Sequence, residues 1–582
     1  MNKKPSMDEL RHSLAHLLAA AVLNLYPDTK LTIGPAIENG FYYDFEFSSP
    51  ISDTDLPKIE KVMKKILPTW KKFTHKEILE KEGREIFKDN PYKFELVQEI
   101  ATKGEKITLY TSGDFTDLCR GGHVENPAKE IDTDAFKLDR VAGAYWRGDE
   151  KNKMLTRIYG LAFETKKELD EFIAQREEAK KRDHKKIGKE MGLFVFSELV
   201  GAGLPLWTPK GTIIRELLND YVWSLRKEKG YSKVTIPHIT KKDLYETSGH
   251  WSKYADDLFK ITTRENHHYA MKPMNCPHHA QIFASSPKSY RDMPQRYCET
   301  TMVYRDEQSG ELSGLSRVLS ITQDDAHVFC RQNQIEEEVF AVWDIIDNFY
   351  GTFGFNLEVR LSTHDPKHFE KYLGTPEIWK SAEDQMVKLI EKRGIKNWID
   401  GTGEAAIYGP KIDFIAKDSI GRTLQVATIQ LDFNQPKSFD LVCTNEKGEK
   451  EPVVMIHAAI MGSIERFMGT LIEHYAGSFP LWLSPVQVKV LPVQESHYEY
   501  AKKIHESLKA ADIRSELDLN NDGLGKKVRN TKVEKVPYWL VIGDKEIEAN
   551  TVTLESRDGG NLGAQSIEEV IKKFVEEIRS KK

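Results

Sequence analysis

Between Glu164 and Glu190 the chain reads ETKKELDEFIAQREEAKKRDHKKIGKE, with nine Lys or Arg and eight Asp or Glu. A segment so charged stays in solvent, and it divides the chain. Strong helix formers dominate it and Gly188 is its only breaker, which predicts one exposed, salt-bridged linker helix. A basic strip for RNA is a secondary role for the same residues. A length of 582 residues leaves room for about three or four domains. Apolar residues at 40%, charged residues at 30% and a mean hydropathy of −0.52 belong to a soluble globular protein. No apolar run approaches the roughly 18 residues of a membrane span, and the start, MNKKPSMDELRHSL, is too polar for a signal peptide. The five cysteines, Cys119, Cys276, Cys298, Cys330 and Cys443, are odd in number and scattered. That excludes a disulfide scaffold and favours a reducing, cytosolic setting. With a net charge of −6, any nucleic acid must be met by local basic patches.

Residues 1–160 read as mixed α and β, with a helix over Asp8–Tyr26 and extended stretches at Gly40–Phe47 and Lys106–Thr111. Residues 191–480 alternate β-branched strands with helices. The strands are Lys233–Ile236, Thr300–Tyr304, Arg317–Thr322 and Leu424–Phe433, and the helices Ile213–Lys229 and Ile335–Tyr350. This is one large α/β or α+β domain. Residues 481–582 form a small α/β unit with 17 basic and 17 acidic residues. Its strands are Val486–Leu491, Arg514–Leu517 and Tyr538–Ile542, and its helices Ser496–Ala510 and Ile567–Lys581. Lys526, Lys527, Arg529, Lys532 and Lys535 cluster there, either to grip phosphates or as a solvated helix face.

On the first helix, Leu10, Leu14, Leu17, Leu18, Ala21 and Leu25 share a face. At about 100° per residue, His12 and His16 fall on the opposite side, within about 40° of each other. Far along the chain, DLCRGGHVEN brings Cys119 and His123 around a Gly-Gly turn. Three readings stay open. The histidines lie on the surface beside an unrelated turn, or three His and one Cys hold zinc, or His and Cys orient water for hydrolysis.

In the large block, MKPMNCPHH places Cys276 in a polar loop, and any metal there must recruit distant ligands. In YRDEQSGELSGLSR, Arg305 and Glu307 end a strand and Arg317 opens the next; arginine suits a bidentate grip on phosphate. Gln323, Asp325 and His327 alternate, so a strand points all three to one face. YGPKIDF and LQVATIQLDF read as adjacent strands, with Thr428, Gln430 and Asp432 on one face. Gly462 and Ser463 open a helix with Arg466 in its first turn, a suitable anion site. There is no GxxxxGK[ST] loop, so ATP would be held by arginines.

Together these residues resemble the threonyl-tRNA synthetases, a family of class II aminoacyl-tRNA synthetases, over nearly the whole chain. Pro237 sits where the class II dimer motif has its proline, Arg305 and Glu307 match the second motif, and Arg466 matches the third. The resemblance implies an α+β multidomain fold. Residues 1–163 become an α/β editing domain and 164–190 the linker. Residues 191–480 become an antiparallel-sheet catalytic domain with flanking helices, and 481–582 an α/β anticodon-binding domain. It implies that Arg305, Glu307, Arg317 and Arg466 serve ATP. Cys276, His327 and His457, which are 51 and 130 residues apart, become ligands of one zinc ion per subunit. Met274, Gln323, Asp325, Tyr408, Lys411, Gln425, Thr428, Gln430 and Ser463 line the amino-acid and ATP pocket. His12, His16, Tyr43, Lys93, Asp117, Cys119 and His123 form the editing site, and Asn521 and Glu546 meet the anticodon. The implied partners are tRNA(Thr), ATP with Mg²⁺, L-threonine and a second copy in a cytoplasmic homodimer.

The resemblance gives the two centres distinct tasks. A three-ligand zinc with an open position can take threonine's amine and hydroxyl, and valine lacks the hydroxyl. Serine keeps it, and one methyl supplies only about 1–3 kcal/mol of discrimination. A second, hydrolytic site for Ser-tRNA(Thr) is then required. A relative that binds RNA without charging it, or a seryl- or prolyl-type synthetase, would lack this combination.

Some positions depart from the family pattern. The His-x-x-x-His helix begins near residue 8, which implies a member without the small domain many bacterial members carry ahead of it. Gly121 or Gly122 stands where Pro is usual, LSITQDD replaces RGFTQDD, and Ala427 replaces Gly. Glu555 stands where an anticodon-contacting Arg is expected, with Arg557 as its substitute on the same strand face.

Overall fold

A computed structural model describes residues 5–581. The chain divides into two compact units, Met1–Glu177 and Glu178–Lys582.

In the first unit, Ser6 and Glu9 close a capping box on the helix Met7–Leu25. Its leucines pack with Phe41, Phe45, Ile59, Met63 and Trp70. The strands Lys30–Leu31, Gly40–Glu46, Met154–Ala162 and Phe136–Tyr145 pair in that order, all antiparallel, with Ala36–Ile37 added to Gly40–Glu46. A second sheet joins Thr74–Ile78, Ile107–Ser112 and Phe115–Leu118. The helix is covered on both sides. His16, expected opposite the core, is only 4% exposed, because the Phe73 and Phe115 rings and the loop after Leu118 close over that side.

The charged segment is two helices, Lys166–Lys181 and His184–Glu190, not one. The first carries solvent-facing pairs such as Lys167–Glu171, as the composition implies. The break falls at Asp183, whose side chain accepts from the Lys185 N–H at 2.8 Å and caps the second helix. Gly188 breaks nothing. It lies inside the second helix, where a Cβ would stand 2.3 Å from the Phe194 ring. His184, Ile187 and Gly188 are buried, so this half is no solvated linker.

The second unit is built on an eight-stranded sheet. Its order is Ser232–Lys233, Gln295–Tyr304, Ser320–Cys330, Val454–Ser463, Thr423–Asp432, Lys411–Lys417, Asn356–Thr363, Ile399–Thr402. The interior pairs are antiparallel and the two edge pairs parallel. Strand alternation sorts the side chains. Ala326, Val328, Ile412, Phe414, Ile429, Leu431, Ile456 and Ala458 join one core with the helices Pro209–Glu228, Ile335–Thr352 and Ile464–His474. Asp325, His327, Lys411, Asp413, Thr428, Gln430, Asp432 and His457 alternate with them and face the other way. The strand expected at Lys233–Ile236 is shorter, and the one expected at Arg317–Thr322 starts at Ser320. Tyr408 lies in a turn ahead of its strand.

The C-terminal part pairs Ser515–Leu517, Val488–Pro492 and Tyr538–Ile542 in parallel. It then adds the antiparallel strand Val552–Ser556, which ends before Arg557, and the antiparallel strand Gly560–Gln565, which the sequence pattern does not predict. Helices Tyr498–Ala510 and Ile567–Ser580 cover the sheet through Ile504, Leu508, Val570 and Phe574. Among the described residues, no helix is long and apolar enough to cross a membrane.

Candidate active site

The polar face of the large sheet carries three donors that are distant in sequence. Cys276 opens the helix Cys276–Ala284, His327 lies on Ser320–Cys330 and His457 on Val454–Ser463. One ligand atom from each lies within 4.8 Å of the others, and all three residues are buried. Each is held from behind. His457 Nε2 is 3.0 Å from an Asp432 oxygen, His327 Nδ1 is 2.8 Å from His279 Nδ1, and Gln435 Nε2 donates to Cys276 Sγ at 3.3 Å. With the protons on those nitrogens, the other nitrogen of His327 and of His457 keeps a free lone pair. Burial pushes the Cys276 thiol well up, with Asp325 and Asp432 adding to the effect. Burial, then His457, pushes His327 well down. Two imidazoles, with His327 held toward its neutral form, and a buried thiol form a donor set that fits Zn²⁺.

Beside it, Asp325 accepts from Asn275 Nδ2 at 3.0 Å, and Tyr408 Oη donates to Gln430 at 2.6 Å while its ring stacks on His457. Met274 packs against the same apolar cluster as Cys276. A cleft of about 460 Å³ continues along the sheet, lined by Arg305, Glu307, Arg317, Gln323, Gln425 and Arg466. Ser463 caps the Arg466 helix by accepting from the Arg466 N–H at 3.2 Å, and Gly462 before it takes φ +66°. Arg317 pairs with Glu307 at 2.6 Å and Glu311 at 3.0 Å. The expected pocket residues are organised by one the sequence reading missed. Asp413, fully buried, accepts from Lys411, Arg360 and Ser362 on one oxygen and from Gln425 and Thr428 on the other, all at 2.7–2.9 Å. It stands two residues after Lys411, so strand alternation could have found it. His279 and Asn275 had no comparable signal, because their helix start meets the sheet only in three dimensions.

The first unit gathers its own cluster. His12 and His16 come from the first helix, Tyr43 from a strand, Lys93 from the Asn90-capped helix Pro91–Thr102, and Asp117 from Phe115–Leu118. Cys119 and His123 follow in the loop. Cys119 Sγ lies 3.4 Å from His12 Nε2 and 3.5 Å from His123 Nε2. Asp117, 1% exposed, accepts from Tyr43 Oη and Lys93 Nζ, both at 2.6 Å, and lies 3.4 Å from His16 Nδ1. Burial opposes charge here, yet His12, His123 and His16 hold the Cys119 thiol down to about 3. Burial likewise opposes the His16 cation, but Asp117 and then Cys119 raise it to about 9. Lys93, followed by His16, overcomes burial and holds Asp117 well below the usual carboxylate range. The result is a buried thiolate–imidazolium–carboxylate chain. A surface histidine pair beside an unrelated turn does not describe it. The four His/Cys ligand atoms also lie within 4.8 Å of one another.

Comparison with known proteins gives three regional matches. Residues 259–475 match the tRNA synthetase class II core domain (G, H, P, S and T), 487–577 the anticodon binding domain, and 107–159 the threonyl and alanyl tRNA synthetase second additional domain. The threonine–tRNA ligase of Porphyromonas gingivalis is 48% identical over 98% of this chain and 88% of its own length. That of Acetivibrio thermocellus is 47% identical over 99% and 89%. The chain belongs to the threonyl-tRNA synthetase family. It is a class II synthetase with an α+β multidomain fold. The crystal structure of the RNA binding domain of threonyl-tRNA synthetase from Cryptosporidium parvum Iowa II superposes with a TM-score of 0.65 at 36% identity. It covers 68% of this chain and 98% of that one.

The departures from the threonyl-tRNA synthetase pattern have local causes. Gly121 and Gly122 take φ +96° and +84°, which proline, fixed near about −65°, cannot adopt. Ala427 lines the cleft. In the anticodon binding domain, Asn521 is exposed in the loop after Ser515–Leu517. Glu546 accepts from the Gly543 N–H at 2.8 Å and from Thr553 Oγ1 at 2.7 Å, so both of its oxygens are engaged. Glu555 accepts from Trp539 Nε1 at 2.7 Å. Arg557, expected to replace the missing arginine, lies beyond the strand end and donates to the carbonyls of Phe479 and Lys535, which ties it to the fold. Of the basic cluster, Lys527 is buried with its ammonium on the carbonyls of Pro492 and Asp518, so it cannot grip phosphate.

Proposed function

We propose that the chain activates L-threonine with ATP and Mg²⁺ and transfers it to tRNA(Thr), and that its N-terminal domain hydrolyses mischarged Ser-tRNA(Thr). The observation that carries the reading is the convergence of Cys276, His327 and His457 on the sheet face whose neighbouring strand position, Gln430, also lines a cleft bearing Arg305, Arg317 and Arg466. These three residues hold one Zn²⁺ per subunit, which when bound supplies a Lewis-acidic position for threonine's amine and hydroxyl. Asp325 accepts from the substrate ammonium, and Met274, Tyr408, Gln430 and Gln323 line the amino-acid end. Lys411, Gln425, Thr428 and Ser463 line the adjoining ATP pocket, with Glu307 positioning the nucleotide. The threonine carboxylate attacks the α-phosphate in line, forming threonyl-adenylate as the α–β phosphoanhydride bond breaks and pyrophosphate leaves, and Arg305, Arg317 and Arg466 balance the developing charge. The chemistry is positioning plus electrostatics.

In the editing domain, Asp117 orients His16, Lys93 and Tyr43, while His12, Cys119 and His123 orient water or hold the tRNA end. Asn521 and Glu546 face the anticodon. The domain bounds are 1–163, 164–190, 191–480 and 481–582, and the enzyme works as a cytoplasmic homodimer whose interface includes Pro237.

The test is amino-acid-dependent ATP–pyrophosphate exchange with threonine, serine and valine, on zinc-loaded and chelated protein. Threonine is activated, serine weakly and valine not at all, and chelation abolishes exchange. Absence of exchange with every amino acid in zinc-loaded protein would sink the reading.

A further inference from the structure

The imidazole of His184 belongs to neither centre, yet it joins the two elements that carry phosphate-site arginines. It is 4% exposed. Its Nδ1 lies 2.6 Å from Glu473 Oε1, and its backbone N–H donates to the same oxygen at 3.2 Å. Glu473 sits in the last turn of the helix Ile464–His474, which carries Arg466 in its first turn. Arg422 holds the other Glu473 oxygen at 2.5 Å and is itself tied to Asp418. A carboxylate on Nδ1 keeps the proton there and leaves Nε2 as an acceptor. Nε2 accepts the N–H of Leu315 at 3.0 Å. Leu315 is fully buried and two residues from Arg317.

The surroundings are shaped to this contact. Gly314 takes φ +50°, and a Cβ on it would stand 2.5 Å from His184 Nε2. A Cβ on Gly469, in the Arg466 helix, would lie 3.5 Å from both His184 Cγ and Leu315 Cβ. Helix, imidazole and loop therefore meet at one point. The ligand-like grouping of Asp183, His184 and Glu473 is accounted for by these bonds, which occupy both imidazole nitrogens.

We propose that His184 is a positioning residue for ATP, fixing the Arg317 end of its loop against the Arg466 helix so that both guanidinium groups meet one triphosphate. This rests on reading Arg305, Arg317 and Arg466 as the ATP site. Two substitutions separate the two nitrogens. His184→Asn can still donate to Glu473 but cannot reach Leu315, whereas His184→Gln can present an acceptor near the position of Nε2.

Exchange kinetics on the full-length, zinc-loaded enzyme supply the readout. His184→Asn raises the KM for ATP about tenfold, the loss expected when a buried N–H is left without its acceptor. The KM for threonine stays within about twofold, and His184→Gln recovers most of the ATP effect. Three results would overturn the proposal: an unchanged KM for ATP in His184→Asn, both KM values rising together with a lowered thermal midpoint, or glutamine no better than asparagine. Full exchange in Arg317→Ala and Arg466→Ala would instead remove the underlying ATP assignment, a failure visible without any His184 variant.

Discussion

Cys119 and Cys276 carry one side chain in opposite proton states. Imidazoles hold the first as a thiolate against burial, with a pKa near about 3, whereas burial beside carboxylates keeps the second protonated until a cation arrives. Alkylation of Cys119 by iodoacetamide therefore proceeds at pH 5 as it does at pH 8, and His16→Ala moves its pH profile upward, toward the ordinary thiol range near about 8.5. A rate that rises through pH 8 in the unsubstituted chain would contradict this. The stability signs follow by linkage. The depressed thiol contributes stability above its unfolded pKa and loses it as pH falls toward about 3. His16, raised to about 9, contributes fully below about 6.5 and loses it as pH rises through 9. The two slopes cancel between about 6.5 and 8.5, so acid, not mild alkali, weakens this unit. At the proposed zinc centre, Asp432→Asn is expected to lower metal affinity about 10–100-fold in a competition titration with a chromophoric chelator, because it slackens His457. The ligands themselves were legible only through resemblance, since no spacing rule links residues 51 and 130 apart.

Among elements, the strand Ser320–Cys330 is the most heavily committed. Its ladder with Val454–Ser463 shifts register between Asp324 and Ala326. Asp324 repairs the gap by accepting from the N–H groups of Ile460 and Met461 at 3.1 and 3.0 Å, while also pairing with the buried Arg226 of the helix Pro209–Glu228. Asp324→Ala takes the carboxylate from that buried guanidinium and leaves two N–H groups without their acceptor. Denaturant unfolding of this unit is expected to lose about 3–5 kcal/mol, and a loss below about 1 kcal/mol would refute the assignment. Alternation predicted which residues share a face, and Thr428, Gln430 and Asp432 do. It could not predict the bulge, which depends on a partner strand more than a hundred residues away. The charged segment failed for a related reason. Helix propensity is local, but the burial of His184 and Ile187 is set by the loop and helix they meet.

At the scale of the molecule, the two chemistries sit in separate compact units with separate cores. Substitutions in one leave the other working. A His12→Ala/His16→Ala chain keeps its threonine-dependent exchange rate and loses deacylation of Ser-tRNA(Thr). Cys276→Ala keeps deacylation and loses exchange. Loss of both activities in either variant would show that the centres are not independent. The division of the chain at the charged segment was legible in composition, but the last strand, Gly560–Gln565, was not, because it is glycine-rich, largely exposed and carries little apolar pattern. A chain with net charge −6 must also accept a triphosphate. Arg317 waits for it already engaged by Glu307 and Glu311. Under the proposed ATP assignment, nucleotide entry at that arginine is an exchange of one anion for another, not the filling of an open positive well. Affinity follows the difference between two partners, and it will respond to added salt less steeply than three free arginines would.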